Sequence, residues 1–270
     1  MAEIAPALRA YALVAGAWLR AARTYRVSFW LNTLGTAVTT SLDFVVVMIM
    51  FLHVRTLGGW TLPQVAFLYG TSGLCLGLAD LAAGSLDQVG ERVRDGSLDT
   101  VLVRPASALA QLAADRFAFR RIGRMAQGGA VLAWSLAALH LHWSWGRALM
   151  VPLMLGCGTV IFCAVFVAGA AFQIVAPGAA ETQNAFTYGG ATLLQYPPTL
   201  FARDLVRGVV FGLPLAFVNW LPACYVLGLP TPAGTPAPLR FASPLAALAC
   251  AAAAGLAWRT ALRSYRSTGS

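Results

Sequence analysis

The chain reads as an all-α integral membrane protein, and three observations predict this. First, 59% of its 270 residues are hydrophobic and only 11% are charged, with a mean hydropathy of +0.70. A soluble domain carries about 25% charged residues. Second, the apolar residues gather into runs that reach the ~20 residues a helix needs to cross a bilayer. Third, the charges stand at the ends of those runs, where membrane topology is written. The net charge of +9 therefore bears on orientation, and no nucleic-acid partner is expected. Residues 1–270 form one membrane domain with no room for a sizeable second one.

Each element follows from its residues. In segment 6–26, Leu8, Tyr11, Ala15, Trp18 and Ala22 recur at helical spacing, with Arg9, Gly16, Arg20 and Arg23 on the other side. Such a helix lies in the membrane interface. Its basic residues follow the apolar stretch instead of preceding it, which is not a signal-peptide pattern. Spans 1 and 2 occupy 27–84, from about Val27 to Leu52 and from about Pro63 to Gly84. A short turn-rich link, 53–63, joins them. Residues 85–110 are polar and must stand in water, since each unpaired charge in lipid costs several kcal/mol. Spans 3 and 4 follow within 111–175. The third ends near Leu141 among His140, His142, Trp143 and Trp145, an aromatic belt, and the fourth covers about Leu149 to Val175. The region 180–228 has two readings. Hydropathy favours a span at Val206 to Leu229. The alternative places span 5 at Ala180 to Tyr196 and makes Thr199 to Leu227 a re-entrant hairpin, because Pro197, Pro198, Pro214 and Pro222 interrupt that stretch. Broken backbone at membrane depth survives only against protein or a watery cavity. The last span is 243–262.

Arginine placement sets the orientation. Fourteen arginines lie in the N-terminal segment, the polar segment up to Arg124, and the tail, against at most five in the other loops. The positive-inside rule then puts both termini and the polar segment in the cytoplasm. All 19 basic residues are Arg. Without Lys there is no Walker A motif and no Schiff-base lysine, so any ATP must be bound by another chain. The five Cys lie in apolar runs without metal-ligand or CxxC spacing and read as small buried hydrophobes. His140 and His142 lack the third and fourth ligands a zinc site needs.

Three sets of residues carry functional expectations. The polar segment holds Glu91, Arg92, Arg94, Asp95, Asp99 and Arg104, with Val93, Leu98, Val101 and Leu102 seeking a surface to pack on. A helix from Leu86 to Arg94, a stop at Gly96 where left-handed backbone is cheap, and a second helix capped by Ser97 and ended by Arg104-Pro105 make a two-piece ledge for a soluble partner. A solvated loop with internal salt bridges is the alternative. Span 2 carries Gly70, Gly73, Gly77 and Gly84 on one face, a close-packing surface, either within the subunit or between subunits. Asp43 and Asp80 are carboxylates within apolar runs, and such groups are candidate sites on a path through the membrane. Asn32 and Asn219 are the amides placed on that path with them. Asp43 in particular would favour cationic or polar passengers, unless the hydroxyls of Thr39, Thr40 and Ser41 engage it or it is protonated.

The run Gly59-Trp60-Thr61, Tyr69-Gly70, then Val93-Arg94-x-Gly96-x-Leu98-Asp99-x-x-Leu102-x-Arg104-Pro105 resembles permeases of the ABC-2 type. Within them it is closest to the antibiotic or viologen exporter branch. Tyr196-Pro197, Phe201, Arg207 and Leu213 to Ala223 look like the same branch, and the similarity covers most of the chain. The resemblance implies six spans, a re-entrant element before the last, and a coupling helix between spans 2 and 3, with the coupling segment at 85–110. It also implies a pair of separate ABC ATPases holding ATP and Mg, a second permease copy or a related permease, and residence in the bacterial cytoplasmic membrane. By the branch's description it further implies multidrug or antibiotic efflux, the substrate being a hydrophobic or cationic small molecule. An ion-coupled transporter or channel, and a membrane scaffold, are the alternative readings.

Overall fold

The computed structural model describes residues 26–115 and 121–266, together with Tyr11 and Gly16. The side chains of residues 26–29, 32 and 233 lie outside that description, as does the expected interfacial helix 6–26 apart from Tyr11, Gly16 and the backbone of Arg26. Among the described residues the secondary structure is helical, with a single isolated bridge between Leu57 and Trp60.

Helix α1 (Arg26–His53) and helix α2 (Leu62–Ala83) match the first two expected spans within two residues. Their link turns at Gly58 and Gly59, both at positive φ, where a Cβ would be strained. The α2 start is fixed by the Thr61 N–H donating to Gln64 Oε1 at 2.9 Å, half of a capping box. A 3-10 turn (Gly84–Gln88) leads into two short helices, α3 (Val89–Arg94) and α4 (Ser97–Leu102), then α5 (Ala108–Ala114). Helix α6 (Arg121–Ala138) and helix α7 (Trp145–Val175) come next. Helices α8 (Ala180–Asn184) and α9 (Gly190–Leu194) run on through a π turn, Ala185–Gly189.

The Thr199 to Leu227 stretch is not a straight span. Helix α10 (Arg203–Arg207) extends through a second π turn, Gly208–Gly212, and the chain then bends by 76° before Pro214 and α11 (Trp220–Leu227). The cause is local. Leu213 is held extended at φ −113°, ψ 104°, as a residue before proline must be. Pro222 sits in the first turn of α11, where its missing N–H is not needed. Helix α12 (Ser243–Ser264) closes the chain.

By length and composition, four segments suffice to cross a membrane: Thr33–His53, Leu62–Arg94, Trp145–Val175 and Ser243–Ser264, with the bent pair as a fifth. The helices at the expected spans 3 and 5 do not reach that standard. Helix α6 has 18 residues and opens with Arg121 and Arg124, and α8 with α9 is short and polar at its start. The core is built around α2. Its buried residues run from Val65 to Ala83, and it packs on α6, α7 and α9. Helix α1 stands apart: Val47 is its one buried hydrophobic residue among those described. It touches α6 at Gly123, where a Cβ would come within 2.5 Å of the Thr33 carbonyl.

Candidate functional site

Two features bring the predicted residues together: a ledge after α2 and a polar cleft between α1 and the body. In the ledge, Val89, Val93, Leu98 and Val101 are buried, so most of its apolar residues find their surface within this chain. Leu102 and Val103 remain exposed. Gly96 adopts φ +71° between the two helices, as expected of a stop. Ser97 does not cap α4, however. Gly96 takes the cap position, and the carboxylate of Asp95 accepts the Ser97 N–H at 2.9 Å. Asp95 was expected to act through its charge toward a partner; here it also closes the turn. Hydrogen bonds from the Ser97 hydroxyl, then from its N–H, hold the Asp95 carboxyl below the usual carboxylate range.

The ledge is fastened to the rest of the chain. Arg92 pairs with Asp115. Arg94 donates to the Pro177 carbonyl at 3.0 Å, and the Gly90 N–H donates to Gln173 Oε1 at 2.7 Å. Asp99 is half-buried beside Tyr265, whose phenol is pushed up by burial and then by that carboxylate. Glu91, Arg94, Asp95, Arg104 and Pro105 form the exposed polar face. Arg92 is thus engaged internally and is not part of it.

The cleft encloses about 340 Å³. Helix α1 contributes Thr40, Asp43 and Val46; α2 contributes Tyr69, Gly73 and Leu76; α6 contributes Arg124 and Gln127. Tyr188, Ala191, Thr192, Gln195 and Tyr196 complete the wall. Tyr69 bridges to α1 by donating to the Thr40 carbonyl at 2.9 Å, and Phe44 packs on the Tyr69 ring. The hydroxyls of Thr39, Thr40 and Ser41 donate to the carbonyls of Gly35, Thr36 and Ala37, one turn back. They do not engage Asp43, which faces the cleft without an ion pair to the described residues. Arg124, the cationic lining residue, is turned away from it: its guanidinium lies 3.7 Å from Asp80 and 5.3 Å over the Tyr188 ring.

Comparison with known families decides the wider identity. The profile of the family described as ABC-2 family transporter protein matches residues 37–269. The chain belongs to the ABC-2 transporter family. No curated protein and no solved structure matches it. The ledge and the cleft therefore belong to a membrane transport component, an ABC-2 permease.

The other predicted residues of this ABC-2 protein have structural surroundings. Asp80 does not line the cleft. It is buried at the end of α2 and accepts from Arg121 Nε at 2.9 Å, with Tyr188 donating to it at 3.3 Å. Asn219 is fully buried; its amide donates to the carbonyls of Leu68 and Leu194, tying α11 to α2 and α9. Asn32 lies on α1, and its side chain is outside the described residues. The glycine face of α2 is filled by α6 of the same chain. A Cβ on Gly70 would lie 2.6 Å from the Leu132 backbone nitrogen, one on Gly77 2.7 Å from Met125, and one on Gly128 2.9 Å from Leu74. Gly84 makes room for Asp80 and Arg121 in the same way. These glycines let α2 and α6 approach closely within the chain.

The sequence reading missed Gln127, Tyr188, Gln195 and Tyr196 as cleft residues, Gln173 as a ledge fastener and Gln183 as its partner. One signal was present: amides are rare in apolar runs and mark interior contacts. Among the described residues no cluster of His, Cys, Asp or Glu could hold a metal ion.

Proposed function

We propose that this chain is the permease subunit of an ATP-driven ABC exporter. It forms the translocation path and couples it, through the ledge at 85–110, to a separate pair of ABC ATPases that hold ATP and Mg. The observation that supports this best is the ledge itself. Two short helices meet at Gly96; the first is fastened to α7 and to Pro177 just after it, and the pair presents Glu91, Arg94, Asp95, Arg104 and Pro105 outward. A rigid element of that kind transmits force, whereas a floppy loop dissipates it. A partner that grips the ledge with different affinity in two permease states shifts the balance between them.

On this reading the chain crosses the bacterial cytoplasmic membrane six times with both termini inside. Helices α6 and α8–α9 serve as the third and fifth crossings, and the bent pair at 203–227 enters and returns from the outer side. The apolar outer face of α1 meets lipid and a second permease copy or a related permease. The substrate is a hydrophobic or cationic small molecule. Asp43 supplies the cleft's carboxylate, with no ion pair among the described residues, and the rings of Tyr69 and Tyr196 line the same space; aromatic faces attract cations at short range. Export, and efflux of toxic compounds, follow from the resemblance to the exporter branch.

The test is co-purification in mild detergent from the native membrane. The expected result is an ATPase with Walker motifs, lost from the Glu91→Arg, Arg104→Glu double variant while that variant still accumulates in the membrane. Retention of the ATPase by that variant would count against the ledge. Absence of any ATPase from the parent, with transport that follows an ion gradient, would favour the ion-coupled reading built on Asp43.

A further inference from the structure

We propose that a buried pair of amides, Gln173 and Gln183, relays movement of the ledge to the wall of the polar cleft. This rests on the coupling reading above and adds two positioning residues that lie in neither the ledge nor the cleft.

The relay starts at an orphan donor. Gly90 is the second residue of α3, and the first N–H groups of a helix have no partner inside it. Its N–H donates to Gln173 Oε1 at 2.7 Å, from α7. A backbone N–H can only donate, so this bond fixes which way the Gln173 amide faces. Gln173 Nε2 is then left to donate, and it donates to Gln183 Oε1 on α8. Both side chains are buried, at 0% and 3% exposure, where a hydrogen bond is electrostatically stronger than in water and a lost one is costly. The next step is inside the π turn: the Thr187 hydroxyl donates to the Gln183 carbonyl at 3.0 Å. Tyr188, one residue on, lines the cleft and donates to Asp80.

The contacts are close at both ends. A Cβ on Gly90 would press on the Pro177 carbonyl, and one on Gly169 would press on the Gln183 side chain. Displacement of the ledge therefore meets α7 and α8 without slack. The π turn is the element with a second state available. Single π turns sit within α-helices and mark functional sites, and removing one shifts the register by a residue. Here Gln183 Nε2 and Asn184 Oδ1 are buried at its edge without partners among the described residues. Unsatisfied groups weaken the hold of the present register. A pull on Gln173 acts on that poised turn and moves Tyr188 against the cleft.

The experiment uses the permease co-purified with its ATPase in lipid nanodiscs. Amide hydrogen exchange is followed by mass spectrometry in peptides covering 85–104 and 180–196, without nucleotide and with ATP plus vanadate. Gln173→Met and Gln183→Met keep the shape and remove the bond; Gln183→Glu keeps the acceptor. In the parent, nucleotide should change exchange in both peptides, by about fivefold for each hydrogen bond made or lost. In the Met variants the ledge peptide should still respond while 180–196 does not, and Gln183→Glu should restore the response. An undiminished response of 180–196 in both Met variants overturns the relay and leaves the coupling reading standing. A parent ledge that ignores nucleotide overturns the coupling reading, and the relay with it. Should the Met variants fail to accumulate, Gly169→Ala crowds Gln183 without removing it and is read the same way, with the same two outcomes.

Discussion

Replacing Asp80 by Asn separates a structural carboxylate from one that handles substrate. Asp80 and Arg121 are nearly sealed from solvent, with side chains 6% and 7% exposed. Arg121 holds Asp80 twice, through Nε to the carboxylate at 2.9 Å and through a terminal nitrogen to the Asp80 carbonyl at 2.8 Å. Arg124 stands at 3.7 Å from the second carboxylate oxygen. Removing the negative charge leaves two guanidinium groups facing an amide in a buried site, and breaking a buried pair in this way costs roughly 3–5 kcal/mol. The Asn side chain keeps an acceptor, so the lower end, about 3 kcal/mol, is the better figure. For a chain of this size that corresponds to a melting point lower by roughly 6–12 °C. Tryptophan fluorescence during heating in nanodiscs would measure it. The double variant Asp80→Leu, Arg121→Leu should recover most of the loss, because an apolar pair of similar volume often replaces a buried ion pair without penalty. A melting point within about 2 °C of the parent for Asp80→Asn, a shift smaller than 1 kcal/mol would give, would refute the reasoning. Altered transport at that unchanged stability would return Asp80 to the substrate path.

Other substitutions test the remaining assignments. Gly70→Ala should destabilise by about 1–3 kcal/mol through overpacking on the α6 backbone. Gly73→Ala meets only Gly128 at 3.7 Å and should be tolerated, with a helix-propensity gain of up to about 1 kcal/mol; their melting points side by side decide this. Asp43→Asn should leave the melting point unchanged, since no described residue pairs with it. It should weaken export of a lipophilic phosphonium cation about tenfold, in line with the 1–4 kcal/mol of a close charge pair in water or near a protein surface, and equal loss for a neutral compound would contradict the charge argument. Asp95→Asn keeps an acceptor for the Ser97 N–H and should preserve ATPase co-purification, whereas Asp95→Ala should loosen exchange protection across 97–102. If Asn were as damaging as Ala, charge toward the partner would outweigh the turn.

The reading of the sequence was reliable where a local cause sufficed. Hydropathy placed α1, α2, α7 and α12 to within a few residues because each run is apolar and bounded by turn residues. Gly96 announced its left-handed turn for the same reason. It failed where the cause is a partner distant in the chain. Asp80 looked like a carboxylate stranded in lipid because Arg121, 41 residues on, is invisible as its partner until α2 and α6 pack. The glycines of span 2 carried a close-packing signal but not the identity of the neighbour; Gly128 on α6 was the clue. The 76° bend before Pro214 was legible as a break and not as an angle. Gln173 and Gln183 were passed over, because the bonds that give them a role form only once the ledge, α7 and α8 pack together.

Placement of the few polar side chains argues for how the membrane portion works. A polar group at membrane depth is costly unless paired, and here most are paired with a purpose. Asp80 joins α2 to α6 and to the π turn, Asn219 joins α11 to α2 and α9, and Ser72 donates to the Ala191 carbonyl at 2.8 Å. All but the Asn219–Leu194 bond tie α2 to the segments that follow it, and that one joins α11 to α9, so the body behind the cleft is stiff. Helix α1 is held differently: it keeps the Tyr69 bond and the Gly123 contact, and it brings Asp43, which has no ion pair among the described residues. Movement that changes access to Asp43 is therefore cheaper at α1 or at the π turn carrying Tyr188 than anywhere in the body. A crosslink between α1 and α2 at the level of Asp43 should block transport while leaving the melting point raised or unchanged. Transport that survives the crosslink would place the moving wall at 185–196 instead.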